Sequence, residues 1–546
     1  MRLLAFCLSF VIGLLVACAP SKRCTAATCQ GCCTADDTCE TGTSATACGA
    51  GAMRCDVCVG AQQCVSGRCE GASGVGGGAA GGASGGGQAM GGGVSGSELS
   101  GTYQAVWGWD GDGGRSAFLD AFDRAPVGVW YRDGGAFDFV RGRGNADGTF
   151  VVREVPAGEV TLQLARRYFV TTSRRLNFDS FVGGRLDATR ATAESLMRFT
   201  LRGLEPIGPT NATGFFFTQQ TGQVSNLENV ATPATPAGST SLESDLDWAR
   251  VTEALDYGLP DGTRGDRGWA LQLGRTDFDG GSLSALRRVA PFPPLTLANG
   301  GSVDAIADLT APATQPLTLS ADTSAFQALR ASFGRDVGTA SFSAEVTTSP
   351  APAPHRVAGQ GAFTLASFFV SETSALPPLP LPTSAFPTTW GRTVTLSYGR
   401  AQQRALTDGG TPAGFFGGVT VADDVAAFTG PVTPRLGPVR GAQLGGRSFL
   451  DDLSGVTTTP TISWMAPALG TVSTYRLSVN RLAAGGTVAE LWRLYTNNPA
   501  VTLPPGILVA GEAYVLELEA LAFGQGGLTF TLPFLSSTVV SGVIRP

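Results

Sequence analysis

The sequence predicts a mainly β protein with a disulfide-rich N-terminal stalk, a disordered Gly-rich linker, and then tandem antiparallel β-sandwich domains. Three observations predict this. From Gly101 onward, short runs alternate apolar and polar residues and are broken by Gly, Pro, Asn and Asp, the pattern of strands with one buried face. Residues 71–98 hold 14 Gly in 28 positions, so they have few side chains to bury and gain little by ordering. Ten cysteines lie between Cys24 and Cys69, and none occurs in the 477 residues that follow.

The first element is an export signal over residues 1–17. Arg2 is a short positive region, and Leu3 to Val16 is an apolar run of 14 residues. A membrane-spanning helix needs about 20, so the run fits a cleaved signal peptide. It ends in Leu15-Val16-Ala17-Cys18. These four residues resemble the bacterial lipobox. The resemblance implies lipidation of Cys18, which becomes the mature N-terminus. Several acyl chains hold stably, because each buried methylene contributes about 0.8 kcal/mol. Position 19 is Ala and not the Asp of inner-membrane retention. The expected location is therefore the bacterial outer membrane or cell surface, with the membrane as partner through the lipid.

Residues 18–70 form the expected stalk. Apart from Cys7 in the signal and Cys18, its cysteines are Cys24, Cys29, Cys32, Cys33, Cys39, Cys48, Cys55, Cys58, Cys64 and Cys69. The number is even, and export places the cysteines in an oxidising compartment. A short segment with so few apolar residues needs covalent staples. All ten are therefore read as disulfide cysteines, with the connectivity left open. Cys29-x2-Cys32 and Cys55-x2-Cys58 have zinc-ribbon spacing, but the compartment decides against zinc. The run resembles the Cys-rich stalks that follow the lipid site in myxobacterial lipoproteins. One Lys against 37 Arg fits the codon usage of a GC-rich bacterium.

The linker, 71–100, has an expected r.m.s. span on the order of 30 Å. It contains Gly82-Ala83-Ser84-Gly85-Gly86, a formal G-x-S-x-G match. No strand precedes it and no helix follows, so it lacks the context of a nucleophile elbow.

The first β domain is expected over 101–205. Asp147-Gly148 turns into a strand with Phe150 and Val152 on one face, and Pro156-Ala157-Gly158 turns into Val160, Leu162 and Leu164. The pair resembles the carboxypeptidase regulatory-like domain, with Val160 where that family has Tyr. The resemblance implies a prealbumin-type sandwich without an active site. The last domain, 431–546, carries Trp464 in Pro460-Thr-Ile-Ser-Trp-Met-Ala-Pro467, then Tyr475 to Val479, and Tyr514 before Val515 to Ala520. It resembles a fibronectin type III domain, which implies a core role for Trp464 and a tyrosine corner at Tyr514. Between them, 206–430 reads as β-rich, either one large domain or two split near 310–320. Its best helix is Ser324 to Phe333, stopped by Gly334.

Chemistry has few candidates. The only His, His355, lies in a Pro-rich loop, and one His excludes zinc sites with two or more His ligands in a monomer. Acids gather at Glu243, Asp245, Asp247, Glu253, Asp256 and Asp261. Such a group is a solvated face, a calcium site or a carboxylate pair for glycoside hydrolysis; the first is preferred. Asp110-Gly-Asp112 has Ala121 where a calcium loop needs Glu. Tyr103, Trp107, Trp109, Trp130 and Tyr131 are either sandwich core, the preferred reading, or a stacking surface for sugars. Asn211-Ala-Thr213 is a formal glycosylation acceptor. The scattered Arg residues form no stripe for nucleic acid.

No catalytic residue, metal ligand or cofactor is assigned. The expected function is that of a non-enzymatic surface lipoprotein presenting binding or scaffold domains for adhesion or envelope structure, with an envelope polysaccharide or protein as partner. The alternatives are a carbohydrate- or peptidoglycan-binding lipoprotein and a carboxylate-dependent hydrolase in 206–430.

Overall fold

The computed structural model describes short segments between Cys32 and Gly71. Beyond them it describes residues 97–107, 115–118, 125–178, 180–181, 189, 191–208, 210–219, 223–227, 236–250, 258–336, 338–349, 363–406, 411–524 and 531–546. The signal peptide, Cys18, Cys24, Cys29, Cys55, Cys58, most of the linker, Trp109, Asp110, Asp112, Glu253, Asp256 and His355 lie outside them. The chain divides into two compact units, Met1–Gly92 and Gly93–Pro546. No helix among the described residues is long and apolar enough to cross a membrane.

The first unit is built of very short strands. Cys32–Cys33 pairs antiparallel with Cys39–Glu40 and parallel with Met53–Arg54, and Gln62–Val65 pairs with Arg68–Gly71. Cys33 stands opposite Cys39, and Cys64 opposite Cys69. Cys32, Cys39 and Cys64 are each in a disulfide.

The second unit is mainly β with several antiparallel sheets, and its apolar side chains gather into successive cores. In the first sandwich one sheet runs Arg143–Gly144, Thr149–Val155, Ser97–Thr102, Arg175–Asn177. The other runs Ala136–Arg141, Val127–Asp133, Val160–Leu164, Arg167–Thr171. Its turns are locally specified. Asp147 accepts from the Thr149 amide at 2.9 Å, and Gly148 takes φ 74°, a left-handed conformation that favours Gly. Gly158 takes φ 93°, and Arg174 donates to the Pro156 and Gly158 carbonyls across that turn.

Two expected boundaries move. The linker was expected to reach 100, but Ser97–Thr102 is already a strand, with Leu99 fully buried opposite Val152. Leu196–Arg202 was expected in the first domain, but Met197, Phe199 and Leu201 enter a second core with Leu242, Ala305 and Ala307. That strand lies between Ser241–Asp247 and Ser302–Asp308.

The middle region has two cores, one reaching Leu309 and one reaching Val432. The hairpin Arg267–Phe278 and Gly281–Pro291 serves both: Ala270 and Ala290 face the second core, while Trp269, Leu271 and Leu286 face the third. The third sandwich continues through Phe363–Ser371, Ser341–Ser349, Gly391–Arg404 and Ala413–Asp424. The helix expected over Ser324 to Phe333 is only Thr323–Gln327, capped by Asp322, followed by a 3-10 turn at Arg330–Ser332. The tighter turn still buries both Phe326 and Phe333 completely, each worth roughly 1.5–3 kcal/mol.

The last sandwich faces Arg447–Ser448, Arg440–Leu444, Thr461–Met465 and Ala500–Thr502 against Val488–Thr496, Thr474–Leu482, Ala513–Phe523 and Phe534–Val540. Trp464 is buried edge-on to Tyr475, with ring centroids 5.1 Å apart. The Val509 amide donates to the Tyr514 hydroxyl at 3.0 Å.

An 18-stranded sheet runs through all four sandwiches. Arg167–Phe169 of the first pairs in parallel with Arg493–Tyr495 of the fourth, and Ala413–Asp424 of the third pairs with Phe534–Val540 of the fourth. The hydrogen-bonded order is thus first, fourth, third, second, so the C-terminal sandwich lies between the first and the third.

Candidate functional site

The acids near 250 separate into different roles. Glu243, Asp245 and Asp247 alternate along Ser241–Asp247 and therefore share a face. Across the sheet Asp245 stands opposite Arg198, which stands opposite Asp304 and pairs with it at 3.9 Å. Arg202 pairs likewise with Asp308 at 3.7 Å. These are largely exposed pairs and contribute little stability. Asp247 instead accepts from the Ser195 and Ala249 amides. Asp261 caps the 3-10 turn at Gly262–Arg264 and accepts from the Thr263 and Thr296 hydroxyls. No group of three or more metal-ligating side chains comes together among the described residues.

The aromatic candidates do not make a flat row. Tyr103 is buried in the first core, with the Arg167 guanidinium 5.5 Å from its ring centre. Trp130 and Tyr131 are consecutive in a strand and so point to opposite faces. Trp130 packs against the fourth core and donates to Gln163 Oε1 at 3.0 Å. The Tyr131 hydroxyl donates to Asp138 at 2.7 Å, which raises the pKa of the Tyr and lowers that of the Asp. The Trp107 side chain lies outside the described residues. Asn211 donates to the Pro206 carbonyl at 2.9 Å.

A buried polar joint connects the third and fourth sandwiches. Tyr398, Arg400, Gln402 and Arg404 alternate along one strand and are all buried. Arg404 donates to both oxygens of Asp336, at 3.2 and 3.1 Å, and to the Ser541 carbonyl of the fourth sandwich at 2.7 Å. Burial pulls the Arg404 pKa down, and Asp336 opposes that shift. Glu372 accepts from Arg330 at 2.5 Å and from the Tyr398 hydroxyl at 2.7 Å. Burial first, and Glu372 second, push the Tyr398 pKa up. The Val540 amide donates to the Phe333 carbonyl, and Arg335 pairs with Asp452 at 2.8 Å. The segment after the short helix is therefore clamped between two sandwiches. Arg400 donates to the Gly334 carbonyl at 2.9 Å, while its Nε and the Gln402 Nε2 have no hydrogen-bond partner among the described residues.

The side of the third sandwich turned away from its core carries a shallow depression of about 350 Å³. Its polar lining is Ser282, Ser284, Ser343, Glu345, Ser367, Thr395 and Ser397, and Phe369 stands in it 45% exposed. Pairing aligns these residues in cross-strand rows. Ser282 stands opposite Phe369, then come Ser343, Ser397 and Thr420 on successive strands. Ser284, Ser367, Glu345 and Thr395 form the next row. The Thr364 hydroxyl donates to Glu345 and fixes its orientation. Among the described residues, none hydrogen-bonds the hydroxyls of Ser282, Ser284, Ser343 or Ser367. The sequence signal for this face was the alternation of Ser with Phe, Ala and Val in Ser341-Phe-Ser-Ala-Glu-Val346 and its neighbours. It marks an outward polar face but not the rows.

No family model matches the chain, and no curated protein matches it. Among solved structures, it is similar to a tetra-tandem repeat from the extending region of a large adhesion protein. The two are 13% identical, with 82% of this chain and 99% of that chain covered and a TM-score of 0.11. At that score the likeness carries no argument about fold or function.

Proposed function

We propose that this chain is a non-enzymatic cell-envelope lipoprotein, anchored through Cys18, that holds a rigid β body as a binding scaffold in adhesion or envelope structure. The ten stalk cysteines are all disulfide-bonded in this reading, and the stalk and Gly-rich linker act as the spacer. The observation that carries the scaffold reading is the parallel pairing of Arg167–Phe169 with Arg493–Tyr495. It fuses the first and last sandwiches, so the body presents its surfaces in fixed relation. The Asp147-Gly148 and Pro156–Gly158 turns support a carboxypeptidase regulatory-like first module. The buried Trp464 and the Val509–Tyr514 hydrogen bond support a fibronectin type III-like last one. In both families such modules serve as structural or binding domains.

The depression on the third sandwich favours a more specific reading, a carbohydrate-binding lipoprotein. The anchor is tested by fractionating cells that express Cys18→Ala. Release of the variant from membranes is expected. Retention as strong as that of the wild type removes the lipoprotein reading.

A further inference from the structure

We propose that the outward depression of the third sandwich binds an uncharged polysaccharide lying across the strands. The inference rests on the binding-scaffold reading and names its ligand class. The depression is open, and its volume of about 350 Å³ falls at the small end of the range for ligand sites. An open groove suits a chain that passes through. Ser282, Phe369, Ser343, Ser397 and Thr420 lie in one row on adjacent strands. Strands are about 4.8 Å apart, a spacing comparable with the length of one pyranose ring. A sugar chain running across the strands therefore meets a new side chain at about each residue.

The lining chemistry selects the ligand. A hydroxyl both donates and accepts, so a serine row matches a ligand whose own groups do both, as sugar hydroxyls do. On the next strand the two rows continue to Asp277 and Arg275, which pair with each other at 2.7 Å, and among the described lining residues Glu345 is the only charged side chain. It repels phosphate and acidic glycans, and a lone carboxylate is too few ligands for calcium. Held by Thr364, Glu345 is set to accept from sugar hydroxyls. Phe369 supplies one exposed apolar face on which the C–H side of a sugar ring can rest. A protein partner would call for a desolvated apolar centre with several anchors, whereas Phe369 stands among hydroxyls in the depression and the other exposed aromatic of this sheet face, Phe416, lies outside the lining, over Gly399 and Gly418.

The test is affinity electrophoresis of the full chain in gels containing dextran, galactomannan or mixed-linkage β-glucan, with alginate as the acidic comparison. Retardation by at least one neutral polysaccharide is expected. Phe369→Ala is expected to weaken it at least tenfold and Glu345→Gln severalfold, with thermal midpoints unchanged. Phe369 is exposed and Glu345→Gln keeps the side-chain shape, so both variants fold. Three outcomes overturn the proposal: no retardation by any neutral polysaccharide, retardation by alginate alone, or retardation that both substitutions leave intact. Membrane fractionation of Cys18→Ala is read separately. A chain that is anchored but not retarded disproves this site and leaves the anchor reading standing.

Discussion

Tyr168 and Tyr495 lie one register step apart on neighbouring parallel strands and point into opposite cores. Tyr168 pairs with Leu494 and enters the fourth core, while Tyr495 pairs with Phe169 and enters the first. The Phe169 and Tyr495 rings stack with centroids 5.3 Å apart. Each sandwich therefore completes its core with a residue from the other, and neither core is whole without the shared sheet.

The first prediction follows from that exchange. Truncating a buried aromatic costs about 3–5 kcal/mol, and here a side chain carried by a strand of the fourth sandwich leaves the first core, so the loss reaches both through the shared sheet. Calorimetry of the full chain should show Tyr495→Ala lowering the transition of the first sandwich together with that of the fourth. A variant that melts the first sandwich alone would mean that the sheet pairing does not couple them.

The joint between the third and fourth sandwiches gives a second prediction. Arg404 is completely buried and held by Asp336 and Ser541. Removing one partner of a buried ion pair leaves a desolvated charge and costs about 3–5 kcal/mol, whereas replacing both by apolar groups is often neutral. In chemical denaturation Asp336→Ala should therefore be markedly less stable than the double variant Asp336→Leu, Arg404→Met. Equal destabilisation of the two would show that the ion pair itself, and not the orphaned charge, sets the cost.

The stalk gives a third. If all ten cysteines from Cys24 to Cys69 are paired, the exported protein in denaturant should expose no thiol to an alkylating reagent until it is reduced, and ten afterwards. Stoichiometric zinc released on denaturation, with thiols reactive before reduction, would replace the disulfide reading by a metal one.

Local features were legible in the sequence because local chemistry decides them. Asp147-Gly148 needs a left-handed residue, and Tyr514 needs only a backbone donor a few residues upstream. The same holds for the core position of Trp464, but not for the helix stop expected at Gly334, since the helix already ends at Gln327. The joins were not legible, because register between distant strands leaves no local trace. Val160–Leu164 alternates apolar residues with Thr161 and Gln163, which predicts one wet face. All five are buried, because the fourth sandwich covers the second face. Arg400 and Arg404 invert the pattern similarly. Their period-two spacing predicts outward charges, yet the face they share turns into the joint, where Gly334, Asp336 and Ser541 accept from them. The hydroxyl rows of the third sandwich likewise exist only once five strands are in register.

Glu517 gives the last prediction, and its sign is unusual for a carboxylate. It lies on Ala513–Phe523, where burial pushes its pKa up and the hydrogen bond from Asn480 at 2.9 Å only partly opposes the shift. A raised folded-state pKa means that the folded protein holds this proton more tightly than the unfolded chain does. The resulting stability is fully present below the unfolded Glu value, about 4.3, and is lost as pH rises through the folded value. At neutral pH the ionised, partly desolvated carboxylate is thus a cost to the fold. Glu517→Gln keeps an acceptor for Asn480 and removes the charge. Thermal melts should place its midpoint above that of the wild type at pH 7, with the gap closing toward pH 4. A variant less stable than the wild type at pH 7 would mean that the Asn480 bond to the charged carboxylate outweighs its desolvation.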